Sequence, residues 1–354
     1  MNISGKSCKV LGLMSGTSLD GLDLAACIFH ECNISNFEIV AAETVKYSEK
    51  FAERLKLANH VSVESLLILD HDFAKFCAEE LLRFIEKTGF VPDLVSSHGH
   101  TVLHRPDLNY TLQIGNPGII ASLSGYVTVG DFRTQNVALG GQGAPLVPIG
   151  DALLFPQFDA CLNLGGIANI SFEMNNRRIA WDICVLNMAL NNVANRLGFS
   201  FDEGGTIAAK GNVNERILSE LNQLAYYAQP YPKSLGREWF ESTMLPIMDR
   251  AMLPESDLMA TLVAHQVFQL EKAIPANCKT ILVTGGGAFN RYLIDKMRSI
   301  QRISWEVPDS LTINFKEALI FAFLGYRRLK SANNCLSSVT GSLRDHCSGG
   351  IYLP

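Results

Sequence analysis

KVLGLMSGTSLDGLDLAACIF, residues 9–29, carries the reading of the fold. Lys9–Met14 is an apolar, strand-like run, Ser15–Gly21 is a cluster of turn residues, and Leu22–Phe29 is apolar again. That order predicts two strands joined by a tight glycine turn. Phe37–Tyr47 has the β-branched content of a third strand. Apolar residues then recur at 66, 69, 73, 76, 77, 81, 84 and 85, a helical period spanning Ser65–Lys87 that Gly89 stops. Asp93–Ser97 returns to strand and leads into a polar segment, His98–His104.

The same order comes back later. Asp159–Leu164 reads as a strand, Gly165-Gly166 as a turn, Ile167–Glu173 as a second strand and Arg178–Cys184 as a third. Helical segments follow, then a strand over Thr280–Thr284, a turn at Gly285–Gly287, a helix over Phe289–Ser299, a strand over Ile303–Val307 and a closing helix over Phe315–Lys330. Two copies of one scheme predict a duplicated α/β chain of two mixed-sheet lobes with a ligand cleft between them. No low-complexity linker marks the junction, which is expected between Gly130 and Gly143. The lobes would be residues 1–135, joined by the C-terminal end of the chain, and 136–354.

Composition narrows the function. The chain has 354 residues, 47% apolar and 18% charged, which excludes a disordered protein. A net charge of −5 without a Lys/Arg block argues against nucleic acid as partner. No apolar run reaches the ~18–20 residues of a membrane span. Gly and Ser break the N-terminal apolar stretch, so no signal peptide is expected. Nine cysteines are scattered without a C-x-x-C pair, the inventory of a reduced, cytoplasmic protein.

Three glycine-rich turns follow strands: Gly16-Thr17-Ser18-Leu19-Asp20-Gly21, then Gly165-Gly166 leading to Asn169, then Gly285-Gly286-Gly287 leading to Asn290. One such loop is as well explained by a hairpin turn. Three together point to backbone N–H groups gripping a polyphosphate. Gly5-Lys6-Ser7 lacks the upstream glycine of a P-loop and precedes its strand. Asp20 and Asp23 flank the first turn, where a carboxylate works on phosphates through Mg²⁺ or bonds its own turn. Asp182 ends the apolar run Ile179–Trp181. It is either a general base with raised proton affinity or, as local sequence favours, the N-cap of the following helix.

His98, His100 and His104 have a spacing that could hold Zn²⁺, which would make the protein a metal-dependent hydrolase. No carboxylate or cysteine completes that set, and Ser96, Ser97, Thr101 and Arg105 beside it suit a polyhydroxylated ligand equally well. Arg133 can fork onto a carboxylate or phosphate, or make a salt bridge between lobes. Glu317, opening the last helix, is a dipole partner or a site residue.

Nine segments together resemble the anhydro-N-acetylmuramic acid kinases. They are LMSGTSLDGLD (13–23), SSHGHTVLHRP (96–106), TLQIGNPGIIA (111–121), VGDFRTQNVALGGQGAPLVP (129–148), LNLGGIANIS (162–171), PKSLGREWF (232–240), VTGGGAFN (283–290), KEALIFAFLGYRRL (316–329) and SSVTGS (337–342). The resemblance implies an actin-like fold of two ribonuclease-H-like lobes, with ATP as cosubstrate and Mg²⁺ as metal. Water would attack the anomeric carbon of a 1,6-anhydro sugar, and the freed O6 would take the γ-phosphoryl group, in recycling of bacterial cell-wall fragments.

Carried onto this chain, the ATP segment is Gly16, Thr17, Ser18, Leu19, Asp20, Gly21, Leu22 and Asp23. The base is Asp182, and Thr101, Arg133 and Glu317 match sugar-contacting positions. Two departures stand out. The family's Asp-Thr-Gly-Pro-Gly-Asn is here Asp182-Ile183-Cys184-Val185-Leu186-Asn187, which predicts an altered backbone path. The family's Gln after His-Gly is His100. The alternatives in the letters are a kinase for another anhydro sugar such as levoglucosan, a non-catalytic sugar sensor, or the metal hydrolase. Sugar kinases of this type are often dimers, so a homodimer is a further expectation of the resemblance.

Overall fold

The computed structural model describes residues 7–16 and 19–354. The chain forms two compact units: one runs to Pro156 and resumes over Phe315–Pro354, the other is Gln157–Asn314. Helices Thr134–Ala138 and Val147–Leu154 therefore stay with the first unit.

The first unit is built on strands β1 (Ser7–Ser15), β2 (Leu22–His30), β3 (Asn33–Val45), β4 (Leu94–Arg105), β5 (Tyr110–Ile114) and β6 (Thr128–Gly130). The second holds β7 (Ala160–Leu164), β8 (Ile167–Met174), β9 (Arg177–Val185), β10 (Thr280–Thr284) and β11 (Ser304–Glu306), and the C-terminal β12 (Gly350–Tyr352) returns to the first. The path through the first sheet is β12-β6-β4-β1-β2-β3, with β5 paired to β4, and the second runs β11-β10-β7-β8-β9. In each, three antiparallel strands adjoin further strands that pair in parallel. Each sheet thus has its own first strand beside its second and fourth, so the two mixed sheets repeat one strand order as the duplicated motif predicts.

Local chemistry sets the elements. Ser62 accepts from the Ser65 N–H to start the helix Val63–Thr88, and Gly89 ends it at φ 69°. Leu69, Phe73, Cys77, Leu81 and Phe84 of that helix pack with Leu11, Leu13, Leu22, Leu24 and Val95 of the sheet. The last long helix, Ser310–Leu329, lies directly on β1: a Cβ on Gly12 would stand 2.3 Å from the Ala318 carbonyl oxygen. Ser96 on β4 donates to the Phe321 carbonyl at 2.5 Å. This close seating carries Glu317, from the far end of the sequence, into the first unit. The second core joins Leu162, Ile170, Ile183 and Val283 of the sheet to Val193, Leu262 and Leu293 of its helices.

One expectation is corrected, and one strand reads on further than expected. His98–His104 does not leave the sheet, because β4 continues to Arg105 and pairs with β5 through Thr101↔Gln113 and His104↔Thr111. The run after Asp182 is strand as far as Val185, with Ile183, Cys184, Val185 and Leu186 buried. Bulky residues fit there because Cys184 and Val185 pair with Ala168 and Ile167. Among the described residues no helix is long and apolar enough to cross a membrane.

Candidate active site

Thr17 and Ser18 lie outside the described residues. The rest of that turn closes β1 onto β2, with Ser15 paired to Leu22 and Met14 to Asp23. Leu19 takes φ 61°, and a side chain at Gly21 would strike the Val45 carbonyl oxygen at 2.5 Å. Asp23 is half-buried and accepts from Thr44 Oγ1 at 2.6 Å. Burial raises its carboxyl above the usual range, the Thr44 bond opposes this, and Asp20 adds to it. Asp20 itself is exposed, and among the described residues no hydrogen bond uses its carboxylate.

The histidines are individually committed. His98 Nδ1–H donates to the Gly99 carbonyl at 2.9 Å, leaving Nε2 to accept from Arg133 at 3.1 Å from Nε and 2.8 Å from the terminal nitrogen. Burial and the guanidinium hold His98 well below its ordinary pKa, so it is neutral. His100 Nδ1 meets Ser15 Oγ at 3.0 Å, Tyr47 donates to the same Oγ at 2.7 Å, and burial lowers His100 to about 4. His104 bonds Thr111 at 3.0 Å. The metal-hydrolase expectation fails here: among the described residues no three His, Cys, Asp or Glu side chains converge as metal ligands. A guanidinium occupies the imidazole nitrogen that the metal would need.

Arg133 also donates to the Gly143 carbonyl at 2.7 Å, and burial lowers its guanidinium to about 10. Glu317 is open to solvent, yet the protein mass around it raises its carboxyl above the glutamate range; Arg133 pulls it down and Asp23 pushes it up. Thr101 Oγ1 accepts from Gln113 at 3.4 Å. Arg133 and Asp23 thus both act on the Glu317 carboxyl, in opposite directions. Tyr47, which no sequence pattern singled out, donates to Ser15 of the first turn.

In the second unit two of the three glycine turns meet. Gly285 follows β10 at φ 83°, where a Cβ would stand 2.4 Å from Asn163 Oδ1 and 2.8 Å from the Leu164 carbonyl carbon. A Cβ on Gly287 would stand 2.7 Å from Leu164 Cβ, and Asn187 Nδ2 donates to the Leu164 carbonyl at 2.9 Å. Gly165 and Gly166 accept from the N–H groups of Asn187 and Leu186, and Gly286 lies near Asn187. Asn290 caps the helix Arg291–Arg298, its Oδ1 accepting from the Leu293 N–H at 3.0 Å.

Asp182 is no N-cap. Leu186 occupies that position before the helix Asn187–Arg196, and Asp182 sits within β9 opposite Asn169. A segment about fifty residues downstream grips it. The Leu235 N–H donates to Oδ2 at 2.9 Å, the Asp182 N–H donates to the Lys233 carbonyl at 3.2 Å, and the Tyr226 hydroxyl donates to the Asp182 carbonyl at 2.5 Å. On the neighbouring residue, Trp181 stacks on Tyr231 of the same segment with centroids 4.7 Å apart. Burial raises the Asp182 carboxyl above the usual range and the Leu235 bond partly offsets this. The result is a half-buried carboxylate with one fixed donor and a free oxygen edge, suited to accept a proton.

Comparison with known proteins gives the family. A family model described as anhydro-N-acetylmuramic acid kinase matches residues 8–354. The chain is 36% identical to the anhydro-N-acetylmuramic acid kinase of Crocosphaera subtropica, covering 97% of this chain and 98% of that one. It is 35% identical to that of Saccharophagus degradans over 99% and 100% of the two chains, and 31% identical to that of Hydrogenovibrio crunogenus over 97% and 98%.

Proposed function

The chain belongs to the anhydro-N-acetylmuramic acid kinase family, and we infer that it opens 1,6-anhydro-N-acetylmuramic acid with water and phosphorylates O6 at the expense of ATP. The products are N-acetylmuramic acid 6-phosphate and ADP, and the place of the reaction is the reuse of cell-wall fragments in the bacterial cytoplasm. The observation that carries this reading is Asp182: a carboxyl of raised proton affinity, fixed by one backbone N–H, at the position matching the family's base.

Asp182 takes a proton from water as its oxygen bonds to the anomeric carbon. The bond from that carbon to the bridging oxygen breaks, its electron pair stays on O6, and O6 attacks the γ-phosphorus with ADP leaving. A positioned carboxylate contributes roughly 10²–10⁴-fold to the first step. Phosphoryl transfer needs placement and charge neutralisation, for which Gly165–Gly166 and Gly285–Gly287 offer backbone N–H groups. Thr101, Arg133 and Glu317 are assigned to the sugar. Arg133 is held fast by His98 and Gly143, so its remaining donor reach is directed.

Asp20 fits a hard divalent cation. Its carboxylate is exposed and unengaged among the described residues, whereas Asp23 is tied to Thr44. Mg²⁺ held there supplies neutralisation of phosphoryl charge.

ADP release measured with 1,6-anhydro-N-acetylmuramic acid and, separately, with levoglucosan tests the reading. Turnover with the first sugar is expected. Turnover with levoglucosan alone would move the substrate assignment, and tight sugar binding without any ADP release would make the protein a sensor.

A further inference from the structure

A cleft of about 320 Å³ opens in the second unit between β8, β9, the segment Tyr227–Lys233 and the end of the helix Glu255–Ala273. Small-molecule sites usually measure ~300–1,000 Å³. Its walls are braced. Trp181 stacks on Tyr231, as above, and Phe172 meets the Trp181 ring edge-on with centroids 5.2 Å apart. The Tyr231 hydroxyl donates to Met174 Sδ at 3.4 Å. Beyond the helix, Arg302 donates to the carbonyls of Glu271, Ile274 and Pro275, which fixes the turn that brings Ile274 and Pro275 into the wall.

The charge of the cleft is one-sided. Lys233 and Lys272 line it, and among the described residues no Asp or Glu does. Neither ammonium has a carboxylate partner among the described residues. Lys233 Nζ donates to the Tyr226 carbonyl at 3.1 Å and lies 4.5 Å from the centre of the Tyr226 ring, and Lys272 Nζ lies 5.2 Å from that of Phe268. Burial lowers the Lys233 ammonium below its ordinary pKa with no acid opposing it. Nor is Lys233 among the groups that shift the Asp182 carboxyl, so it is not the counter-ion of the base. Cations set in aromatic and aliphatic walls without a counter-ion complement an anion that brings its own apolar body.

The cleft also shares its wall with the base. Trp181 and Ile183, on either side of Asp182 in β9, line it, and Asp182 does not. Tyr231 and Lys233 are wall residues, while the Lys233 carbonyl and the Leu235 N–H hold Asp182. A molecule in the cleft therefore packs against the segment that grips the carboxyl.

We propose that this cleft is an effector site for an organic anion with a flat apolar body, its rings against Phe172, Trp181 and Tyr231 and its charge taken by Lys233 and Lys272. Occupancy fixes the segment Tyr231–Leu235 on β9, and with it the donor to Asp182. Binding is independent of the kinase chemistry; the effect on turnover rests on the reading above.

The probe is 1-anilinonaphthalene-8-sulfonate, whose fluorescence rises in an apolar site, beside its uncharged counterpart N-phenyl-1-naphthylamine. Wild type should bind the sulfonate saturably, and saturating ATP should not displace it. Lys272→Met should weaken the sulfonate roughly 10-fold and leave the uncharged probe unchanged. Ala273→Phe, which fills the cleft, should weaken both, with melting curves confirming that each variant is folded. Bound sulfonate should slow hydrogen exchange at the Leu235 amide, because it holds the segment that carries that amide. In turnover with 1,6-anhydro-N-acetylmuramic acid it should change kcat by about twofold or more in wild type and not in Ala273→Phe.

Non-saturable binding, displacement by ATP, equal response of the two probes to Lys272→Met, or full binding by Ala273→Phe would overturn the site. Unaltered Leu235 exchange or an unaltered kcat would overturn its role as effector. Sulfonate affinity that falls as protein concentration rises would assign the cleft to a second copy of the chain instead. If wild-type protein releases no ADP with any anhydro sugar, the reading above fails, and titration and exchange still decide the site.

Discussion

The backbone N–H of Leu235 donates to Asp182 Oδ2 at 2.9 Å, and among the described residues it is the one hydrogen bond that this carboxylate receives. A carboxylate with two or three such donors is a weak base, whereas one that is largely desolvated and singly bonded keeps a raised proton affinity. The geometry therefore favours Asp182 as proton acceptor over Asp159, whose carboxyl three backbone and side-chain donors hold below the usual range.

Asp182→Asn keeps an acceptor for Leu235 but removes the base. Turnover should fall by roughly 10²-fold or more while ATP affinity stays unchanged. Because the folded-state pKa is raised, the charged carboxylate costs stability at neutral pH and that cost vanishes as pH falls through the folded value. The Asn variant should accordingly melt no lower than wild type at pH 7.5. Substantial residual activity would remove Asp182 from the mechanism.

Asp20→Asn should raise the Mg²⁺ concentration needed for half-maximal rate without altering sugar affinity, read from initial rates across a magnesium series. An unchanged metal dependence would take Asp20 out of the phosphate chemistry.

Lys316 pairs with Asp151 at 2.7 Å, with side chains 7% and 6% exposed. Asp151→Ala leaves the ammonium buried without its counter-charge and should destabilise the protein by about 3–5 kcal/mol in urea unfolding. Replacing both partners by apolar residues of similar volume should recover most of that. A loss below about 1 kcal/mol for the single variant would show that water reaches the lysine.

His265 is fully buried in the second unit, with Asn222 Oδ1 2.7 Å from Nδ1 and the Tyr227 hydroxyl 2.9 Å from Nε2. Burial lowers its pKa to about 3, against ~6.5 unfolded. Unfolding therefore takes up a proton between those values, and the stability this site gives is present above pH 6.5 and is lost as pH falls. The destabilisation by His265→Gln should be largest at pH 7.5 and shrink toward pH 4, by up to about 1.4 kcal/mol per pH unit. A pH-independent difference would mean the ring is charged when folded.

Both sheets were legible because their first strands carry apolar runs interrupted by glycine turns, and the helix Val63–Thr88 because its period and both caps are local. The path of β4 through His98–His104 was not. Its polar residues are kept in strand by pairing with β5, whose sequence Tyr110–Ile114 has no clean alternation of its own. The histidines looked like metal ligands because spacing shows proximity along the chain but not the Arg133 guanidinium, 35 residues on, that occupies His98. Asp182 could pass for an N-cap, since what distinguishes it is the register with Asn169 and a grip from Tyr226–Leu235.

The account turns on water being the group that Asp182 deprotonates. Running the reaction with 1,6-anhydro-N-acetylmuramic acid and ATP in ¹⁸O-labelled water and weighing the product measures this directly. One label in the anomeric hydroxyl of the 6-phosphate, with none in the phosphoryl group, is the predicted result. An unlabelled anomeric oxygen, or label in the phosphoryl group at the first turnover, would contradict it.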